Sequence, residues 1–333
     1  MTPITRNDPK LGFIGIGSMG RPIARRLLQA GYKVSVYNRD RAKAEALAGS
    51  GATVKESVAE LASAADVILS CLANDDAVRS VYAGPEGVFA NVHPGTVVIE
   101  MSTVNPEISR ELYKLGSARA VSVLDVPISG STPAAEQGTL TLFGGGDEKM
   151  FHNAEPIFRA VAHQYFYLGP SGSGTTMKLV VNALLGVGMQ AIAEAVTLGQ
   201  KAGLNRDRLF DVLSHTAVIA PAHLGKLMKA VSNDYSPQFA IRLMNKDFRL
   251  ILETAARIQV PMPVTAAAFQ INTAEAANST EEDFSAVIRL AENLAHVNSQ
   301  LGKQQATVCR GAPACAPSVV GRTGPTRRLA PTG

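Results

Sequence analysis

The chain has 333 residues, 46% hydrophobic and 18% charged, an ordinary balance for a soluble globular protein large enough to bury two cores. Its net charge of +4 does not make a nucleic-acid-binding face, because Lys303, Arg310, Arg322, Arg327 and Arg328 all follow residue 301 with no acid among them. Three cysteines (Cys71, Cys309 and Cys315) make neither a disulfide framework nor a zinc set. With a polar Met1 to Lys10 and no uncharged apolar stretch of spanning length, they lead us to expect a cytoplasmic protein with no metal and no membrane partner.

The first element is the run from Leu11 to Ile16, short and apolar as a buried parallel strand should be. Met19, Ile23, Ala24, Leu27 and Leu28 then recur at helical spacing. Between them Gly15, Gly17 and Gly20 occupy a strand-to-helix turn, the context in which G-x-G-x-x-G binds a dinucleotide. Gly15 would allow the tight turn, Gly17 the approach of a pyrophosphate, and Gly20 close packing of helix on strand. A second strand, Lys33 to Tyr37, ends in Asn38-Arg39-Asp40. In this arrangement an acid at the strand end receives the 2′-hydroxyl of NAD, whereas an Arg accommodates the 2′-phosphate of NADP. Asn38-Arg39 reads as the NADP version; Asp40, one residue on, keeps NAD(H) open as the alternative.

Buried strands are expected at 65–72, 95–102, 120–129, 138–146 and 163–169, with helical or loop segments between them, including helices at 105–115 and near 149–158. Such alternation predicts a doubly wound parallel sheet of the Rossmann kind, a dinucleotide-binding domain over 11–170 after a flexible N-terminus of ten residues. From Ser171 strand signals stop. Helices are expected at 175–202, 206–215, 222–231, 239–258, 264–277 and 282–294, which makes 171–298 an all-helical domain. The first of these is apolar on most faces and reads as a central strut, buried by both domains or by a second subunit. Beyond Ser299 the sequence turns to Gly, Pro, Ala and Arg without periodicity, and we expect disorder over 299–333.

Two stretches at element ends offer chemistry. "DVPISGS", Asp125 to Ser131, follows a strand with a turn of backbone N–H groups and two hydroxyls, suited to a small anion or equally to an ordinary turn. "GPSGSGTTMKLVVN" places Lys178 and Asn182 four residues apart on one face of an apolar helix, where polar groups must be paired or used.

With these residues in view, the sequence resembles the β-hydroxyacid dehydrogenase family over about Lys10 to Glu292. The blocks "GFIGIGSMGRPIARRL", "DVPISGS", "GSGTTMKLVVN" and "FAIRLMNKDFRL" carry the likeness in order. The resemblance implies Lys178 as the catalytic residue and Ser129, Gly130, Ser131 and Asn182 as substrate-binding residues. It also implies that the Gly15-Ile16-Gly17-Ser18-Met19-Gly20 turn, Asn38, Arg39, Leu72, Ala73, Thr103 and Lys246 lie against the dinucleotide. Many members carry proline where Ala73 stands. Ser131, together with Phe239 and Asp247 as further substrate residues, looks like the glyoxylate/succinic semialdehyde reductase branch, which prefers NADP(H). The 3-hydroxyisobutyrate dehydrogenases are the runner-up. A non-catalytic dinucleotide-binding module is the alternative of another class, which the presence of Lys178 argues against. The likeness further implies a small carboxylate substrate and a homodimer or homotetramer formed through the helical domain.

Overall fold

The computed structural model describes residues 8–297; the tail expected to be disordered, with Cys309 and Cys315, lies outside the described residues. Residues 8–10, expected to be flexible, are held instead. The Lys10 N–H donates to Asp66 Oδ2 at 2.9 Å and its carbonyl accepts from the Asp66 N–H.

Six strands form the N-terminal sheet: β1 (Leu11–Ile14), β2 (Val34–Tyr37), β3 (Thr53–Val54), β4 (Val67–Ser70), β5 (Val97–Glu100) and β6 (Ser122–Asp125). All pair in parallel, in the order β3-β2-β1-β4-β5-β6. The order reverses between β1 and β4, which opens a crevice at their carboxyl ends, where doubly wound sheets bind ligands. Both faces are covered. Phe13, Ile23, Leu27, Leu69 and Ile99 fill one side; Ile14, Leu61, Ile68, Val98 and Leu112 fill the other.

The strand expected over 120–129 is two strands. Pro127 lacks an N–H to continue the ladder, and the chain turns there into β7 (Ile128–Ser129). With β8 (Leu140–Gly144) and β9 (Ala162–Tyr167), β7 forms a small mixed sheet, antiparallel to β8, while β9 runs parallel to β8. The helix expected near 149–158 is likewise two, Glu148–Asn153 and Glu155–Val161, with Pro156 in the first turn of the second.

From Ser173 the chain is helical. The helix Ser173–Lys201 has 29 residues and is about 43 Å long. It is long and apolar enough to cross a bilayer by length and composition, yet Leu179, Met189, Ala193 and Val196 on it pack into a core with Phe210, Leu227, Met244, Phe248 and Ile288. Gly186 and Gly188 serve that packing. A Cβ on Gly186 would lie 2.3 Å from the Phe248 ring, and one on Gly188 2.6 Å from His223. Around the central helix lie Arg206–Ser214, Pro221–Val231, Ile241–Arg257, Pro263–Ala276 and Val287–Leu294.

Candidate active site

The glycine turn is shaped by three different constraints. Gly15 has φ +96°, and a Cβ there would come 2.3 Å from the Cys71 carbonyl. One on Gly20 would come 1.9 Å from the Gly15 carbonyl. A Cβ on Gly17 would meet no protein atom within 4 Å, so what glycine keeps open there is space outside the protein. The following helix, Gly20–Gln29, starts at Met19 with no side-chain cap and no acid in its first turn; the Arg21 N–H closes the turn onto the Gly17 carbonyl, and the positive dipole end of the helix is left for an anion. Ile16 is buried, Ser18 exposed. These features fit a pyrophosphate.

Asn38 ties the end of β2 to this turn: its Oδ1 accepts from the Ile16 N–H at 2.9 Å and its Nδ2 donates to the Asp40 carbonyl at 2.8 Å. Arg39 is exposed with no ion-pair partner among the described residues. Asp40 precedes the helix Arg41–Glu45, its carboxylate 3.6 Å from Lys43. Across the crevice, the Leu72 N–H donates to Ser102 Oγ at 2.7 Å, and Ala73 is exposed beside it.

The helical domain reaches the crevice through Lys246. Its Nζ donates to the Thr103 carbonyl at 2.5 Å and lies 2.8 Å from Asp247 Oδ1. The other oxygen of Asp247, a carboxylate only 1% exposed, accepts from Asn182 Nδ2 at 2.5 Å. That bond fixes the amide, so Asn182 keeps a buried acceptor, Oδ1, with no hydrogen-bond partner among the described residues. Lys178, one turn before Asn182 on the same helix face, makes no hydrogen bond or ion pair of its own among the described residues. Its ammonium comes down to about 8, chiefly through burial, with Asp247 opposing the fall and Lys246 adding to it.

The start of this helix is set by a residue that sequence reading placed in the anion turn. Asp125 is buried at the end of β6, where its Oδ1 accepts from the Gly172 N–H at 2.8 Å. Its Oδ2 accepts from the Thr175 N–H at 2.9 Å and from Thr175 Oγ1 at 3.1 Å. It therefore caps the helix that carries Lys178, a carboxylate at the positive end of the dipole. Gly174 allows the approach, since a Cβ there would lie 2.2 Å from the Phe143 carbonyl of β8. Beside it, β7 presents Ser129, and Gly130 takes φ +134°. Ser131 precedes the helix Thr132–Gln137; its carbonyl accepts from the Ala135 N–H at 3.0 Å, and its hydroxyl does not cap the helix. Neither serine hydroxyl is engaged among the described residues. Phe239 does not join this cluster: its N–H donates to Asp283 Oδ2 and its ring meets Phe284 edge-on at 5.8 Å.

Residues 10–169 match the family model described as the NAD binding domain of 6-phosphogluconate dehydrogenase. Residues 172–291 match the one described as NAD-binding of NADP-dependent 3-hydroxyisobutyrate dehydrogenase. A 2-(hydroxymethyl)glutarate dehydrogenase from Eubacterium barkeri is 35% identical over 88% of this chain and 98% of its own. The chain belongs to the β-hydroxyacid dehydrogenase family. Among similar family members, glyoxylate/succinic semialdehyde reductase 1 of Arabidopsis thaliana is 35% identical over 84% of this chain and 97% of its own. The solved 3-hydroxyisobutyrate dehydrogenase of Mycobacterium tuberculosis has a TM-score of 0.79 at 31% identity, covering 85% of this chain and 99% of that one. As a β-hydroxyacid dehydrogenase the protein is an oxidoreductase that uses a nicotinamide dinucleotide.

Proposed function

We propose that this β-hydroxyacid dehydrogenase reduces a small carboxylate-bearing aldehyde, of the glyoxylate or succinic semialdehyde type, to the hydroxy acid with NADPH. The observation that carries the reading is the buried pair Asn182 and Asp247 flanked by the half-buried Lys178 and Lys246, brought against the Thr103 turn at the mouth of the crevice. The nicotinamide, when bound, supplies the hydride. Lys178 gives its proton to the carbonyl oxygen in reduction and takes it back from the alcohol in oxidation. An amine near 8 can do both at neutral pH, whereas one at its ordinary value is a poor base. Asn182 Oδ1 is left to accept from the product hydroxyl, because Asp247 already holds its Nδ2. Lys246 anchors the helical domain to the Thr103 turn. The free hydroxyls of Ser129 and Ser131, with the Gly130 turn between them, receive the substrate carboxylate and so orient the carbonyl.

Preference for NADPH is supported by the unpaired, exposed Arg39 at the end of β2 and by the turn of Asp40 toward Lys43. Assembly through the helical domain is supported by apolar side chains that the central helix leaves exposed, Leu184 at 71% and Leu198 at 72%. A cytoplasmic setting belongs to the same proposal. The test is steady-state reduction of glyoxylate, succinic semialdehyde, methylmalonate semialdehyde and tartronate semialdehyde with each cofactor. The reading requires the highest kcat/KM with NADPH and one of the first two. Preference for methylmalonate semialdehyde would move the protein to the 3-hydroxyisobutyrate branch, and no turnover of any would return the non-catalytic alternative.

A further inference from the structure

Register in the parallel sheet puts Ser70 of β4, Glu100 of β5 and Asp125 of β6 side by side on one face, at its carboxyl edge. Asp125 serves the central helix. Glu100, 2% exposed, serves the crevice: both its oxygens accept from the Ser102 N–H at 3.1 Å, and Oε1 accepts from the Ser102 hydroxyl and, at 3.2 Å, from Ser70 Oγ. Ser102 Oγ in turn accepts from the Leu72 N–H at 2.7 Å, and Ser70 Oγ pairs with the Tyr82 hydroxyl at 2.7 Å. One buried carboxylate thus organises the turns after β4 and after β5, which carry Leu72 and Thr103. We propose that Glu100 is a positioning residue for the nicotinamide dinucleotide, its carboxylate fixing the Leu72 and Thr103 turns in the form that receives the cofactor. The inference rests on the dinucleotide site and touches no substrate.

The ionised form is the one the geometry requires. A carboxylate can accept from Ser102 N–H, Ser102 O–H and Ser70 O–H together, leaving the Ser102 lone pairs to Leu72. Once protonated, it must donate in turn, and the direction of the Ser102 hydroxyl is lost. Burial raises the Glu100 carboxyl to about 7, with the neighbouring Asp125 adding to the rise and the Ser102 and Ser70 bonds opposing it. Of the other groups facing it, burial pushes the Cys71 thiol up to about 12 and the Tyr82 hydroxyl higher still, and the Asp125 carboxyl, which burial also raises, is the same in parent and variant. Lys246, near Cys71, and Lys178 are present in parent and variant alike.

The test is titration of the full chain with NADPH, followed by nucleotide fluorescence, from pH 6 to 8.5. Glu100→Gln should weaken NADPH binding about tenfold or more at pH 8, roughly the effect of one misdirected buried hydrogen bond. The parent should bind less tightly as pH falls through about 7, and the variant should lack that added dependence. Ser102→Ala, which cuts the link and leaves the carboxylate, should show the same loss if the Gln variant does not fold. Binding within twofold of the parent by the folded variants, or the same pH curve in Glu100→Gln and parent, would overturn the proposal alone. A parent that binds no nicotinamide dinucleotide would overturn it together with the cofactor site.

Discussion

Asp125→Asn isolates the joint between the two halves of the molecule. The substitution keeps the shape and changes one acceptor oxygen into a donor. Asp125 receives the Gly172 N–H on one oxygen and the Thr175 N–H and hydroxyl on the other. Whichever way the amide is turned, one backbone N–H at the start of the central helix faces an N–H₂ group and loses its acceptor. A buried donor left unsatisfied costs about 1–3 kcal/mol, and a bond to a charged acceptor contributes about 1.5–3 kcal/mol. Loss of the negative charge at the helix N-terminus adds about 0.3–1 kcal/mol. Against this, a neutral amide is easier to bury than a carboxylate, whose pKa burial raises in spite of these bonds. The net expectation is a loss of about 2–4 kcal/mol, hence a fall in Tm of about 3–6 °C for a chain of this size. Thermal melting followed by far-UV circular dichroism measures it. Because Lys178 lies one turn beyond Thr175, kcat should fall with it even well below the melting range. A Tm within about 2 °C of the parent would refute the capping role.

Three further outcomes follow from the same structure. Gly17→Val places its side chain in open space, so stability should change by less than about 1 kcal/mol while NADPH affinity, measured by fluorescence titration, drops at least about tenfold. Arg39→Asp should raise the Kd for NADPH far more than that for NADH; equal effects would remove Arg39 from the 2′-phosphate site. Since Lys178 titrates near 8, reduction at saturating substrate should be flat at lower pH and fall as pH rises through about 8, where the donor loses its proton. Oxidation should rise through the same range, and a reduction rate that climbs with pH would contradict the assignment.

How much was readable in advance differs between fold and site. The parallel sheet and the helical half announce themselves through apolar runs and 3.6-residue spacing, and the glycine turn through its place between strand and helix. β3, two residues long with Thr53 exposed, carries no such pattern; it exists because β2 offers it an edge. The break at Pro127 was legible from the missing N–H but lay within a largely apolar run. At the site, Lys178 and Asn182 could be paired from spacing alone, whereas the part played by Asp247 depends on how two helices 65 residues apart cross. Glu100 and Asp125 were hidden for a different reason. A single acid in a strand says nothing until register sets it beside Ser70 and opposite a helix start. A carboxylate closing an otherwise apolar parallel strand was the one available signal, and it occurs in both β5 and β6.

The central claim is that Lys178 moves the proton, and Lys178→Met tests it with little change in side-chain length. Measured with NADPH and whichever aldehyde the parent reduces fastest, kcat should fall by about 10²–10⁴-fold. The Kd for NADPH should stay within a few-fold, since in the proposed site the glycine turn and Arg39, not Lys178, hold the dinucleotide. A folded Lys178→Met protein that keeps most of the parent's turnover would contradict the account.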